Sequence, residues 1–409
     1  MINKKTTLAL TTTLLLSTQI FADDKADIAL LKQQVQELQE MAQILTDETS
    51  DLKNGFNYTT VDTTKSHAGL GSAASKVYYS KSPLSIGGYG EMFYAKNKDK
   101  ATLDVYRFVP YIGYKFTDNI ILNTELEFEH GGVANANGTA EGGEVLVEFM
   151  YLDFLLNSYA NIRVGNFLMP MGLINERHEP TLFTTVQRPS TSKYLIPSTW
   201  HESGVMVYGE ITEGVSYKVA AISALQTQIN GSKWLRGGRG GSFQQTDPNL
   251  GFVGRLDYTG VNGLLIGAST YFAPSANGIN SSTSMSDVHL DYKNSGARVY
   301  GVYTQTSRSN AADIAPNAIQ KAKGGFLNLS YDVLALGNSN YRMPLFIQYE
   351  NINPEASIAD GSSGDATKTT TLGANFFPHE QVVLKVDYAM QTKAAIDTNT
   401  LSLSMGFIF

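Results

Sequence analysis

From Leu84 to the C-terminus, sixteen segments of alternating polarity are joined by connections that are short and long by turns. The segments are 84–95, 102–116, 119–130, 144–156, 161–168, 204–212, 215–224, 249–258, 262–272, 284–293, 297–306, 324–333, 342–352, 368–377, 382–392 and 399–409. The connections after segments two, four, six, eight and ten are tight: Thr117-Asp118, Asn157-Ser158-Tyr159-Ala160, Glu213-Gly214, Thr259-Gly260-Val261 and Asn294-Ser295-Gly296. After most odd segments they are long: 131–143, 169–203, 225–248, 273–283, 307–323 and 353–367. Period-two alternation predicts strands. A soluble sandwich has no reason to gather its long loops on one side, whereas a membrane barrel keeps short turns at one rim and long loops at the other. The segment lengths mostly match the roughly 9–11 residues of a tilted spanning strand. The fold class predicted is all-β: a 16-stranded antiparallel transmembrane β-barrel over 84–409, preceded by an N-terminal α-helical coiled coil.

Parity assigns the two faces. In the third strand Leu122, Thr124, Leu126 and Phe128 point to lipid, and Asn123, Glu125, Glu127 and Glu129 to the lumen. The tenth, twelfth, thirteenth and fifteenth strands repeat the pattern, with Asp287, His289 and Asp291, then Asn328, Glu350, and Lys385 with Asp387 inside. An Arg or Lys facing the bilayer midplane costs about 2–4 kcal/mol, so charge marks the inner face. Strands one, four and eleven are ambiguous. The last strand sets Leu401, Leu403, Met405, Phe407 and Phe409 on one face. An alternating terminal strand that ends in Phe resembles the assembly signal of bacterial outer-membrane barrels.

The start of the chain carries Lys4 and Lys5, an apolar run near Leu8–Leu16 and Ala22 before Asp23, which predicts a secretory signal over 1–22. Ile28, Leu31, Val35, Leu38, Ala42, Leu45, Thr49 and Leu52 follow a heptad seam, so 23–54 is expected to be a coiled coil on the periplasmic side. The alternative is an amphipathic helix packed on its own barrel, and the seam leaves the number of chains open. Residues 55–83 lack a sustained period and read as a linker. The formal charge is −7, and −9 once 1–22 are removed, which argues against a nucleic-acid partner. Without cysteine there is no disulfide framework and no thiol nucleophile.

A 35-residue connection without internal period, 169–203, is expected to have a function. Folded inward it would narrow a wide aqueous lumen. It carries Glu176, Arg177, His178, Glu179, Arg188, Lys193, His201 and Glu202. With Arg107, Arg163, Glu125, Glu127 and Glu129 from the wall, the residues Arg177, Glu179, Arg188, Lys193, His201 and Glu202 form the expected constriction, sorting solutes by charge. His178-Glu179 and His201-Glu202 could meet as metal or acid–base pairs, but no metal, cofactor or catalytic set is predicted. Arg236-Gly237-Gly238-Arg239-Gly240-Gly241 reads as a flexible external loop. No GxSxG pattern is present.

Asp104-Val105-Tyr106-Arg107-Phe108, the run Asn161–Gly172, and Leu372-Gly373-Ala374-Asn375-Phe376-Phe377-Pro378 leading to Leu384–Tyr388 resemble the phosphate-selective porin (porin O and P) family. The resemblance implies a homotrimer of outer-membrane barrels in a Gram-negative bacterium, each a passive channel for small hydrophilic solutes or ions such as phosphate or carboxylates. The coiled coil is similar to that of dicarboxylate-type trimeric porins. Where the family often carries Lys, this chain has Leu168, and its inward charges are mixed in sign. The alternative function is a structural tether: a plugged barrel whose coiled coil spaces the membrane from the cell wall.

Overall fold

The computed structural model describes residues 24–56, 61–132, 143–241, 243–274, 279–337 and 339–409. The expected signal over 1–22 lies outside them. The chain divides after Phe56 into two units. The first holds helix α1, Asp24–Phe56. Ile28, Leu31, Val35, Leu38 and Leu45 of its seam are all about half exposed or more.

The second unit is a closed antiparallel barrel of sixteen strands among the described residues. They are β1 Leu84–Lys96, β2 Ala101–Thr117, β3 Ile120–Glu129, β4 Glu144–Phe154, β5 Asn161–Leu168, β6 His201–Thr212, β7 Val215–Ser223, β8 Leu250–Tyr258, β9 Leu264–Pro274, β10 Ser282–Asn294, β11 Ala297–Ser309, β12 Ile319–Asp332, β13 Pro344–Ile358, β14 Thr367–His379, β15 Val382–Lys393 and β16 Ile396–Ile408. Each strand pairs with its sequence neighbours, and β1 pairs with β16 from Tyr89↔Ile408 to Lys96↔Leu401. Gly88 and Phe409 exchange backbone hydrogen bonds of 2.9 Å at the end of that seam.

Burial is inverted relative to a water-soluble protein. Leu327, Leu345, Ile347, Tyr349, Leu384, Leu403 and Met405 are exposed, while Glu125, Asp287, Asn328, Glu350, Lys385 and Asp387 on the opposite parity are buried. Apolar side chains on the outer face lose nothing where lipid replaces water. Outward aromatics Tyr114, Phe116, Tyr258, Tyr292 and Tyr331 cluster where even-numbered strands end, at the short-turn rim. Interfacial aromatic girdles occupy such rims.

The lumen is filled well beyond the narrowing expected of the 169–203 loop alone. A hydrophobic cluster runs through it, combining Tyr89, Phe149 and Tyr151 of the wall with Met169, Met171, Phe183, Leu195 and Trp200 of the β5–β6 connection. Leu70, Ala73 and Ala74 join the same cluster. Of the stretch expected to be a linker, residues 61–83 therefore pack inside the barrel. Ser72–Tyr79 form helix α2, buried from Ser72 to Val77. Gly113 on β2 lacks a side chain where Val77 lies; a Cβ there would stand 2.5 Å from Val77 Cβ.

Candidate functional site

Residues 169–200 cross the lumen, and the wall's charged side chains hold their backbone. The N–H of Gly172 donates to Asp287 Oδ2 (3.0 Å) and that of Val186 to Asp387 Oδ2 (2.6 Å). Ser190 and Thr191 donate their N–H groups to Glu350 (3.0 and 2.6 Å). In the other direction Lys385 Nζ donates to the carbonyls of Phe183 and Thr185 (2.9 and 3.0 Å), and Arg298 to that of Leu182 (2.9 Å). A buried loop leaves its peptide groups without helix or sheet partners, so side chains must satisfy them. Much of the mixed inward charge serves this purpose.

The second insert, residues 61–83, is fastened to the first. Glu179 accepts from the N–H groups of Ala73 and Ala74 at the start of α2 (3.0 and 3.1 Å). A carboxylate at a helix N-terminus meets unpaired donors and the positive dipole end. Burial pushes the Glu179 pKa up to about 7. Lys218 on β7 donates to Glu176 (2.6 Å) and to the carbonyl of Ala68 (2.6 Å), bridging both inserts. Tyr78 of α2 donates to Asp153 (2.5 Å), which also holds Arg163 through two bonds of 2.8 Å.

Above the loop, toward the long-loop rim, is a recess of about 120 Å3. Arg107, Arg188, Lys193, Arg236 and Arg239 line it together with Glu127, Glu129 and Glu144. Arg107 lies near Glu91 (3.7 Å), Glu127 (3.5 Å) and Glu129 (3.8 Å). Among the described residues no carboxylate lies within 4.0 Å of Arg188, Lys193, Arg236 or Arg239. Arg236 and Arg239 donate instead to the carbonyls of Ser198 and Thr199. Four cations on loops thus face three carboxylates on β3 and β4, which sets up a transverse field across the recess. Burial, then the guanidiniums of Arg236, Arg107 and Arg188, lower the Lys193 pKa to about 8. On the other side, residues 181–184 line a second recess of about 300 Å3 with Lys293, Arg298, Asp332 and Arg342, at the short-turn end.

Of the eleven constriction residues expected, Arg107, Glu127, Glu129, Arg188, Lys193 and His201 line the upper recess. Five do not. Arg163 is locked on Asp153 below α2. Arg177 pairs with Asp291 (3.4 Å), and Glu179 caps α2. Glu125 lies under the loop against His178 (3.1 Å). Glu202 accepts from Ser223 Oγ (2.7 Å), Gly240 N–H (2.9 Å) and Trp200 Nε1 (3.1 Å), and so anchors the β7–β8 connection. The adjacent histidine–glutamate pairs do not meet as pairs: His178 faces Glu125, and His201 Nδ1 faces the carbonyl of Thr199.

The sequence reading also missed residues. The glycine-rich stretch around Arg236 is not a free external loop. Trp234–Gly237 make one helical turn, Trp234 Nε1 donates to the Pro354 carbonyl (2.8 Å), and the two arginines turn into the barrel. The available signal was a buried-type residue, Trp234, two positions before the first arginine.

No family model matches the sequence. Over 354 residues the chain is 32% identical to an uncharacterized protein of Aquifex aeolicus (strain VF5), a match that covers 80% of each. The two belong to one family. Among solved structures, the outer membrane channel DcaP of Acinetobacter baumannii superposes with a TM-score of 0.54 at 12% identity, over 80% of this chain and 97% of that one. OmpT folded in vitro, an outer membrane protein of Vibrio cholerae in its trimer form, gives 0.51 at 11% identity, over 80% and 99%. At these identities the likeness concerns the fold, which is that of outer-membrane barrels.

Proposed function

We propose that this protein is a passive outer-membrane channel for small hydrophilic solutes that favours anions such as carboxylates or phosphate. The observation that carries the reading is the upper recess, where four loop cations without carboxylate partners face the space left by residues 169–200. Such a cluster draws anions in, while Glu127, Glu129 and Glu144 oppose it across the gap. The lower recess, beyond residues 181–184, offers a way out at the short-turn rim. Planar-bilayer recording of the purified protein tests the reading: stepwise conductance with a reversal potential on the chloride side is expected, and a silent membrane overturns it.

The field has a built-in pH dependence. Lys193 is a cation whose pKa lies at about 8, so its charge is present below that pH and is lost as pH rises through it. Anion preference should fall between pH 6.5 and 9 in the native protein. Lys193→Gln should flatten that change in reversal potential.

The tether reading keeps one specific support, the filling of the lumen by residues 61–83 beneath the loop. Helix α1, with its apolar seam exposed, supports a coiled coil in the periplasm, and the trimer form of OmpT supports a homotrimer. Deleting residues 24–56 separates the two functions. A channel conducts without them at unchanged single-step amplitude, with fewer trimers captured by cross-linking, whereas a tether has no conductance to keep.

A further inference from the structure

One cluster in the lumen lies outside both recesses. Glu148 owes its position to an irregularity in the sheet. Glu125 pairs with Phe149 and Leu126 with Val147, so Glu148 is the extra residue of a bulge between β3 and β4. A bulge re-aims a side chain. Here Glu148 and Phe149, neighbours in sequence, are both fully buried. Glu148 thereby comes beside Glu125 of β3, also fully buried, and His178 of the lumenal loop closes the group.

The hydrogen bonding of these three is incomplete in a directed way. His178 Nδ1 lies 2.8 Å from the Asn175 carbonyl, which can only accept, so the ring is assigned its proton on Nδ1. Nε2 then turns its lone pair toward Glu125 Oε1 at 3.1 Å and Glu148 Oε1 at 4.0 Å. Two acceptors at that distance repel unless a proton or a metal cation stands between them. Neither oxygen of Glu148, nor Oε2 of Glu125, completes a hydrogen bond of good geometry among the described residues, although the Thr199 hydroxyl stands beside Glu148 and the two carboxyls stand beside each other. The nearby Arg188 donates to Tyr89 (3.4 Å) and to the His178 carbonyl (3.2 Å) and to neither carboxylate. One ligand atom from each of the three residues falls within 4.8 Å of the others.

We propose that Glu125, Glu148 and His178 bind one divalent transition-metal cation of the zinc class, which ties the lumenal loop to the β3–β4 wall. An imidazole nitrogen with two carboxylates suits zinc and its neighbours, while calcium and magnesium take all-oxygen shells. The Nδ1–H bond to Asn175 is the outer contact that orients a ligating histidine. The site rests on geometry alone and stands whether or not the barrel conducts.

The test uses the full chain in detergent, stripped with a chelator and titrated calorimetrically with zinc chloride, then with calcium and magnesium chloride. One zinc per chain is expected, with calcium and magnesium at least about a hundredfold weaker. X-ray absorption should show nitrogen and oxygen neighbours at roughly 2.0–2.2 Å, including an imidazole. Glu148→Gln and His178→Gln should each raise the dissociation constant at least about tenfold, and Glu144→Gln, outside the cluster, should not. Heat-modifiable migration on gels confirms that each variant is a folded barrel. Absence of zinc binding, zinc binding no tighter than calcium, or an affinity unchanged in both cluster variants would overturn the proposal.

Discussion

Replacing Arg163 by methionine should cost the barrel about 3–5 kcal/mol, the scale on which a buried ion pair stripped of one partner is destabilising. Arg163 is 1% exposed and Asp153 is fully buried. Their two bonds of 2.8 Å are the base on which Tyr78 and Tyr208 also rest, through Asp153 Oδ2 at 2.5 and 2.9 Å. Without the guanidinium, Asp153 keeps hydroxyl donors but no compensating charge. Urea unfolding in detergent, followed through Trp200 and Trp234, reads the loss as a lower midpoint. Asp153→Asn in the same chain should recover a large part of it. Reversal potential should not move in the variants that fold, because the pair lies beneath α2 and away from the upper recess. A selectivity change with intact stability would return Arg163 to the filter.

The second large effect concerns selectivity. Arg188→Gln, Arg236→Gln and Arg239→Gln together take the upper recess from five cations against three carboxylates to two against three. The local field then changes sign. Charged clefts concentrate ions by tenfold or more, so the anion-to-cation permeability ratio should fall by about an order of magnitude. Under a salt gradient the reversal potential should cross zero toward potassium. The same substitutions should leave the lipid-facing shell untouched and cost little stability beyond the carbonyl bonds of Arg236 and Arg239 and the bonds of Arg188 to Tyr89 and the His178 carbonyl. A reversal potential unchanged in the triple variant would show that ions do not pass this recess.

The strands were legible because lipid imposes a rule that any single residue can violate only at a cost. Segment 161–168 coincides with β5, and the others differ by a few residues, most at β12 and β13, which extend farther toward the long-loop rim. The parity rule failed where the inner face meets protein instead of water. In β4, Phe149 and Tyr151 are apolar and inward, and the bulge at Glu148 breaks the count of two. In β11, Tyr300 and Val302 pack inward, with the Tyr300 hydroxyl receiving the Thr184 N–H. Leu168 is likewise a member of the lumenal cluster.

The inserts themselves were only half legible. The length of 169–203 announced a loop with work to do, and its charges were visible, but not which of them would be spent on holding backbone. α2 has eight residues and no period long enough to register, and its helical turn is secured by Glu179, more than a hundred residues away. Arg236 and Arg239 were hidden by glycines that signal flexibility in isolation. Their inward course depends on Trp234 and on carbonyls of the loop between β5 and β6.

The seam between β1 and β16 has a consequence for biogenesis. The ribosome makes the two partners of that seam at opposite ends of the barrel sequence, so every earlier intermediate carries two raw flanks of unsatisfied peptide groups. Hydrocarbon offers those flanks nothing to bond with. A nascent chain lacking even the final dozen residues is therefore no smaller barrel but an open gutter, fit for a chaperone or a protease. Integrity of the whole cylinder is tested at its last strand.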